Sequence, residues 1–157
     1  MKRTATCFGL ILSLFVPFLA SGQDLRQYER VTQLSSNVEQ AIKGKEKKWS
    51  LKKTEPIGSS TTQLWRSGAQ ELELRIFVLN SEEEASRMLV NHGAFAVAFS
   101  EVLKGFGGDE ARFIDYQHFS WVGVRKGTML VEAHGPAKNL VLTKRFVQHA
   151  LQELEKN

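Results

Sequence analysis

The chain has a single cysteine, Cys7, and none after it. Whatever folds downstream has no disulfide to hold it and must rest on an apolar core. The cysteine itself sits in what reads as a cleaved leader. Lys2 and Arg3 form a positive end, Phe8 to Leu19 an apolar run broken only by Gly9, Ser13 and Pro17, and Ala20-Ser21-Gly22 a small-x-small cleavage pattern. The run is too short to span a hydrocarbon layer of about 30 Å as a helix. Residues 1–22 are therefore expected to leave as a signal peptide, with Gln23 opening an exported, periplasmic or secreted protein. Cys7 precedes the apolar run, where a lipid-modified cysteine would have to end it. Removing 22 residues from 157 leaves 135, one domain's worth and enough for a core without staples. Loss of the only thiol excludes cysteine nucleophiles, thiolate zinc sites and thiol redox chemistry.

Charge adds a second exclusion. Of 21 Lys+Arg, Lys2 and Arg3 leave with the leader, so 19 remain against 17 acids, a balance of +2. That is too small to point to nucleic acid. The positive charge is concentrated at Lys43, Lys45, Lys47, Lys48, Lys52 and Lys53, relieved only by Glu46. Such a run suits a helix end followed by an edge strand, and it offers peripheral contact with an anionic surface.

Periodicity divides the remainder. Leu25, Tyr28, Val31, Leu34, Val38 and Ile42 recur at helical spacing, giving a helix from Asp24 as N-cap to Lys43, stopped by Gly44. Strands are expected at 49–53, 61–66 and 71–79, the last two joined by a turn at Ser67-Gly68-Ala69-Gln70. Ser81 and Glu84 make a capping box. The apolar stripe of Ala85, Met88, Leu89, His92, Phe95, Ala96, Phe99, Val102 and Leu103 carries that helix to 103 as the central packing element. A strand at 111–116 and a hairpin of 119–125 with 128–134, closed by Lys126-Gly127, come next. Gly135-Pro136 breaks that strand. A final helix turns Leu140, Val141, Val147, Ala150, Leu151 and Leu154 inward. The expected fold class is α+β: a mostly antiparallel sheet of five or six strands, with helices packed on one face.

Between the central helix and the next strand lies Gly105-Phe106-Gly107-Gly108-Asp109-Glu110-Ala111. A glycine turn exposes backbone N–H groups and brings two carboxylates to a strand start. Adjacent strand residues point to opposite faces, however, and two carboxylates are few for Ca²⁺. The expected role is a structural turn with Asp109 bonded to local backbone. Together with Val124-Arg125-Lys126-Gly127 and the apolar Met129-Leu130-Val131, this turn resembles a Gly-x-Gly-Asp-Glu-Ala and Val-Arg-Lys-Gly pattern of exported bacterial α+β domains of unknown function. The resemblance covers the last third of the chain. It departs by one extra glycine before Asp109 and by the missing lipid-attachment cysteine. It implies a single-domain protein of the bacterial envelope and carries over no catalytic residue.

No reactive constellation stands out. His92, His118, His134 and His149 lack ligand-pair spacing, there is no G-x-S-x-G elbow, and no P-loop follows the glycines. His92 falls in an apolar helix stripe and is expected to be a satisfied core or boundary histidine. His134 shares a strand face with Glu132. No metal and no cofactor are expected. Trp49, Trp65 and Trp121 fall on strands, where they are either core or, exposed on one face, a platform for a ligand. The preferred reading is a non-enzymatic binding or sensing domain. Its candidate ligand-binding residues are Trp65, Trp121, Asp109, Glu110, Lys47 and Lys48. Two alternatives stand beside it: a small hydrolase or isomerase using Asp109 or Glu110 with His134 or His118, and a self-associating structural protein pairing through a sheet edge.

Overall fold

Three short turns organise the sheet. Ile57 pairs with Ser60, Ser67 with Gln70, and Lys126 with Met129, so each connection has two central residues. In every case the first is glycine with φ between 56° and 59° (Gly58, Gly68, Gly127), and the second is an ordinary residue without positive φ. That is the type II′ pattern, whose twist matches paired strands. The closing turn is therefore Gly127-Thr128, one residue later than Lys126-Gly127, because this turn type needs its glycine in the first central position.

A computed structural model describes residues 22–95 and 98–156. The leader up to residue 21, and the stripe position Ala96, lie outside the described residues. In chain order the elements are α1 (Gly22–Lys45), β1 (Ser50–Ile57), β2 (Ser60–Ser67), β3 (Gln70–Val78), α2 (Glu82–His92), β4 (Ala94–Phe95), β5 (Ala98–Phe99), β6 (Glu101–Val102), β7 (Glu110–Asp115), β8 (Phe119–Lys126), β9 (Met129–Pro136) and α3 (Leu140–Leu154). The fold is α+β. One sheet has seven strands in the order β1-β2-β3-β9-β8-β7-β6, antiparallel at every pairing, and β4 and β5 form a separate small pair. The expected five or six strands missed β6. Two three-strand meanders, β1-β2-β3 and β7-β8-β9, meet edge to edge at β3 and β9. Pro56 lies inside β1 rather than ending it, whereas β9 does end at Pro136. Among the described residues no helix is long and apolar enough to cross a membrane.

Strand parity shows that the helices do not share one face. Leu72, Leu74, Ile76 and Val78 of β3, Val122 and Val124 of β8, and Val131 and Ala133 of β9 join α1 and α3 in the main core. The alternate residues Trp121 and Leu130 join Leu89 of α2 and Ile114 in a second cluster on the opposite face. Val31, Leu34, Val38 and Ile42 are the buried stripe of α1, while Leu25 and Tyr28 in its first turns stay exposed. The helix is already formed at Gly22 and continues to Lys45, so Asp24 is not its N-cap and Gly44 does not stop it. In α3, Leu142, Phe146, Val147, Ala150, Leu151 and Leu154 are buried, and Val141 is 74% exposed. At 100° per residue Val141 falls on the side opposite the Leu142-Phe146-Ala150 stripe, so it does not point inward.

The expected helix over 81–103 ends at His92. Ser81 caps it as anticipated, its Oγ accepting from the Glu84 N–H at 3.1 Å; Glu84 Oε2 accepts from the Asn80 N–H at 3.0 Å, one residue upstream of the box partner. At Gly93 the chain turns back. The Ser100 N–H donates to Gly93 O at 2.8 Å, and a Cβ at 93 would lie 2.3 Å from Ser100 Oγ. Of the described residues beyond 93, Ala94–Phe95, Ala98–Phe99 and Glu101–Val102 form short strands, and Val102 in β6 is exposed. The central packing element is accordingly not α2 but the α1–α3 pair, with Phe146 of α3 set edge-on between Trp49 (5.3 Å) and Trp65 (5.8 Å).

Candidate functional site

The ligand-binding candidates do not converge. Trp65 and Trp121 are both 0% exposed. Trp65 lies in the α1–α3 core and Trp121 in the α2 cluster, so the sheet itself separates them and no shared platform exists. Trp65 Nε1–H donates to Gln63 Oε1 at 3.1 Å, and Gln63 Nε2 donates to Ser35 O and Oγ at 2.8 and 2.9 Å. That buried polar chain ties β2 to α1. Lys47 and Lys48 are exposed in the turn between α1 and β1. Asp109 and Glu110 stand at the start of β7, five places along the sheet order from β1, about 24 Å at ordinary strand spacing.

Asp109 is engaged across the hairpin rather than within its own loop. Its Oδ2 accepts from the Gly127 N–H at 2.6 Å, and Arg125 and Lys126 are near it. The Gly127 hydrogen bond, aided by those cations, holds the Asp109 carboxyl below the usual aspartate range. Gly108 is required here: a Cβ would stand 2.6 Å from Arg125 O, the atom that accepts from the Asp109 N–H. The extra glycine lets two backbones approach. A hollow of about 510 Å³ runs along this loop, but Glu110 turns to Ser86 (3.0 Å) and Arg112 (2.9 Å). Neither carboxylate bonds His134 or His118, so the expected acid–base pairings do not form. His118 instead meets the Tyr116 ring at 6.0 Å.

The α2 face of β3 and β9 brings together a set that spacing did not reveal. Glu132 on β9 has Arg75 of β3 and Gly123 of β8 as cross-strand partners, and His134, two residues on, has Glu73 and Trp121. These side chains share one face because strand residues alternate. From above, α2 presents His92, whose Nδ1 lies 2.9 Å from Glu132 Oε1. Glu132 is 0% exposed, and among the described residues its second oxygen, Oε2, is buried with no hydrogen-bond partner. Arg75 is paired with Glu73. Arg75, Asn91, His92, Ala94, Glu132 and His134 line a cleft of about 220 Å³.

The electrostatics separate the two imidazoles. Hydrogen bonding to Glu132 raises the His92 pKa above 6.5, against burial and Arg75. Burial, with Arg75 adding to it, pushes His134 down to about 4. At neutral pH His134 is therefore an uncharged ring beside a buried carboxylate. The cleft offers hydrogen-bond acceptors more than positive charge, because Arg75 is already matched by Glu73. Among the described residues, no group of three His, Cys, Asp or Glu side chains is placed to hold a metal ion.

The sequence did carry a signal for Glu132: a single acid inside the apolar Met129-Leu130-Val131-Glu132-Ala133 strand. Its link to His92 spans 40 residues and depends on how α2 sits on the sheet. His149 finds a carboxylate too, Glu46 at 3.1 Å, which also meets Arg145 and fastens the α1–β1 turn to α3. Comparison with protein families and with curated proteins finds no match for the chain.

Proposed function

We propose that the protein is an exported domain of the bacterial envelope that binds or senses a small polar ligand in the cleft between α2 and strands β3 and β9. The leader-like first 22 residues and the resemblance in the last third support the location. One observation carries the binding reading: Glu132, in the lining of the cleft, is wholly buried, one oxygen satisfied by His92 and the other left without a hydrogen-bond partner among the described residues. A buried carboxylate costs several kcal/mol unless its acceptor sites are filled. A ligand N–H or O–H would fill the second. The cleft volume, about 220 Å³, lies below the usual range for drug-sized ligands. It suits a hydroxylated or amino compound the size of a monosaccharide or one amino acid.

The test follows the His92 and His134 ring resonances by NMR while sugars, amines, amino acids and cell-wall fragments are added. Binding should move both rings and weaken at least tenfold in Glu132→Gln, whose amide cannot present two acceptor oxygens. If no compound moves either ring, or if Glu132→Gln binds equally well, the cleft is not the site. Mass spectrometry of the exported protein should find Gln23 at its N-terminus.

A second reading rests on the same dyad. A carboxylate on imidazole Nδ1 orients the ring and leaves Nε2 for general acid–base work. Among the described residues no serine or threonine hydroxyl bonds His92, so water or the substrate would supply the nucleophile. Turnover of any bound compound, abolished by His92→Gln, would favour this reading over binding alone.

A further inference from the structure

A different region carries an independent site. We propose that the groove between the first half of α1 and the adjoining ends of β3 and β9 binds a small anionic amphiphile, a carboxylate or phosphate monoester with a short apolar tail. Arg26 and Arg30 are four residues apart on α1, so their guanidinium groups share one helix face. Both are exposed, and among the described residues neither pairs with a carboxylate. The contact recorded for Arg30 is unusual: its Nη2 lies 3.7 Å from Met129 Sδ, a weak acceptor. A guanidinium has five N–H donors in a planar fork that matches a carboxylate or phosphate. Here that fork stands beside a thioether.

Two hollows adjoin at Arg30. The first, about 280 Å³, has Arg26, Gln27, Asn80 and Thr128 in its lining beside Val78 and Leu79. Gln27 Nε2 donates to Asn80 Oδ1 at 2.8 Å, bridging helix and strand end. The second, about 120 Å³, has the nearly buried Leu34 and Met129 in its lining. A charged compartment and an apolar one that share an arginine in their linings select a ligand of the same build. An inorganic anion would leave the apolar hollow empty, and a neutral lipid would leave both guanidinium groups without an acceptor. Together the two hollows fall at the lower end of small-ligand sites, which limits the tail.

Isothermal titration of the full chain, as processed by the exporting cell, with monomeric sodium decanoate tests this. Octyl glucoside (tail without charge) and inorganic phosphate (charge without tail) serve as comparisons. Decanoate should bind at least tenfold tighter than either, and Arg26→Gln and Arg30→Gln should each weaken it at least tenfold with no change in melting temperature. Equal affinity in the double variant, octyl glucoside binding as tightly as decanoate, or no decanoate binding would each overturn the proposal. Vesicles containing phosphatidylglycerol separate the sources of the anion. Arginine-dependent co-flotation with them, without uptake of monomeric decanoate, would place the anion in a membrane surface and overturn the free-ligand assignment.

Discussion

Lowering the pH from 7 to 4 should remove about 3 kcal/mol of stability through His134 alone. The imidazole has a reference pKa of 6.5 and is pushed to about 4 in the fold, first by burial and then by Arg75 and His92, with Glu73 opposing. Because the folded value is depressed, the unfolded chain takes up the proton first as pH falls through 6.5. The native state follows only near pH 4. The contribution is thus intact above about 6.5, declines between 6.5 and 4, and is fully lost below that window. A separation of about 2.5 pKa units, at 1.36 kcal/mol each, corresponds to about 3 kcal/mol. Water entering the cleft would reduce it. Urea denaturation of the wild type and of His134→Asn at pH 7.5, 5.5 and 4 isolates the effect, since the variant lacks the titrating group but keeps a polar side chain. The wild type should lose about 3 kcal/mol more than the variant across that range. A His134 ring titrating near 6.5 by NMR, or parallel stability curves for the two proteins, would refute the assignment of a buried neutral imidazole.

His92 acts in the opposite sense: its pKa is raised, so its contribution is complete below 6.5 and fades as pH climbs through the folded value. His92→Ala should therefore cost more at pH 6 than at pH 8.5, with about 1–3 kcal/mol of the loss from Glu132 Oε1 left without its partner; a cost independent of pH in urea titrations would contradict the pairing. Gly123→Ala should destabilise by about 1–3 kcal/mol, because its Cβ would stand 2.6 Å from both Leu89 Cδ1 and Trp121 Cζ2; thermal melts that match wild type would show the α2 contact to be looser than described. Gln63→Leu removes the link between Trp65 and Ser35 and should lower stability by about 1–3 kcal/mol, read as a shift in urea midpoint without a change in slope. Asp109→Ala frees the Gly127 N–H and should cost about 1–2 kcal/mol, lost in the wild type only at acid pH because the carboxyl titrates below its usual range; an equal cost at pH 2 would show that the carboxylate is not the acceptor.

Hairpins were the most legible part of this chain. A type II′ turn is written in two adjacent residues, so Gly68 and Gly127 announced the β2–β3 and β8–β9 pairings to within one residue. Helix ends were less legible. The apolar residues past His92 keep a spacing that a helix would use, and only the return of Ser100 onto Gly93 shows why the helix stops. The site was the least legible. Strand alternation put Trp121 and Glu132 on the face opposite Val122 and Val131, but it could not say that α2 covers that face. A covered face converts Trp121 from a ligand platform to core and Glu132 from a surface acid to a buried one.

What the amino-acid order settled unaided is local. A chain with one cysteine can form no internal disulfide and so needs a core of apolar side chains, helical and strand periods assign most elements, and glycine-led turns make the sheet antiparallel. Tertiary structure alone decided which helix lies on which face, that β3 and β9 join the two meanders, and that His92 meets Glu132 across 40 residues. Those outcomes depend on contacts between segments distant in the chain. Backbone preference and side-chain period act over a few residues, whereas burial of a carboxylate or a tryptophan is a property of everything that closes over it.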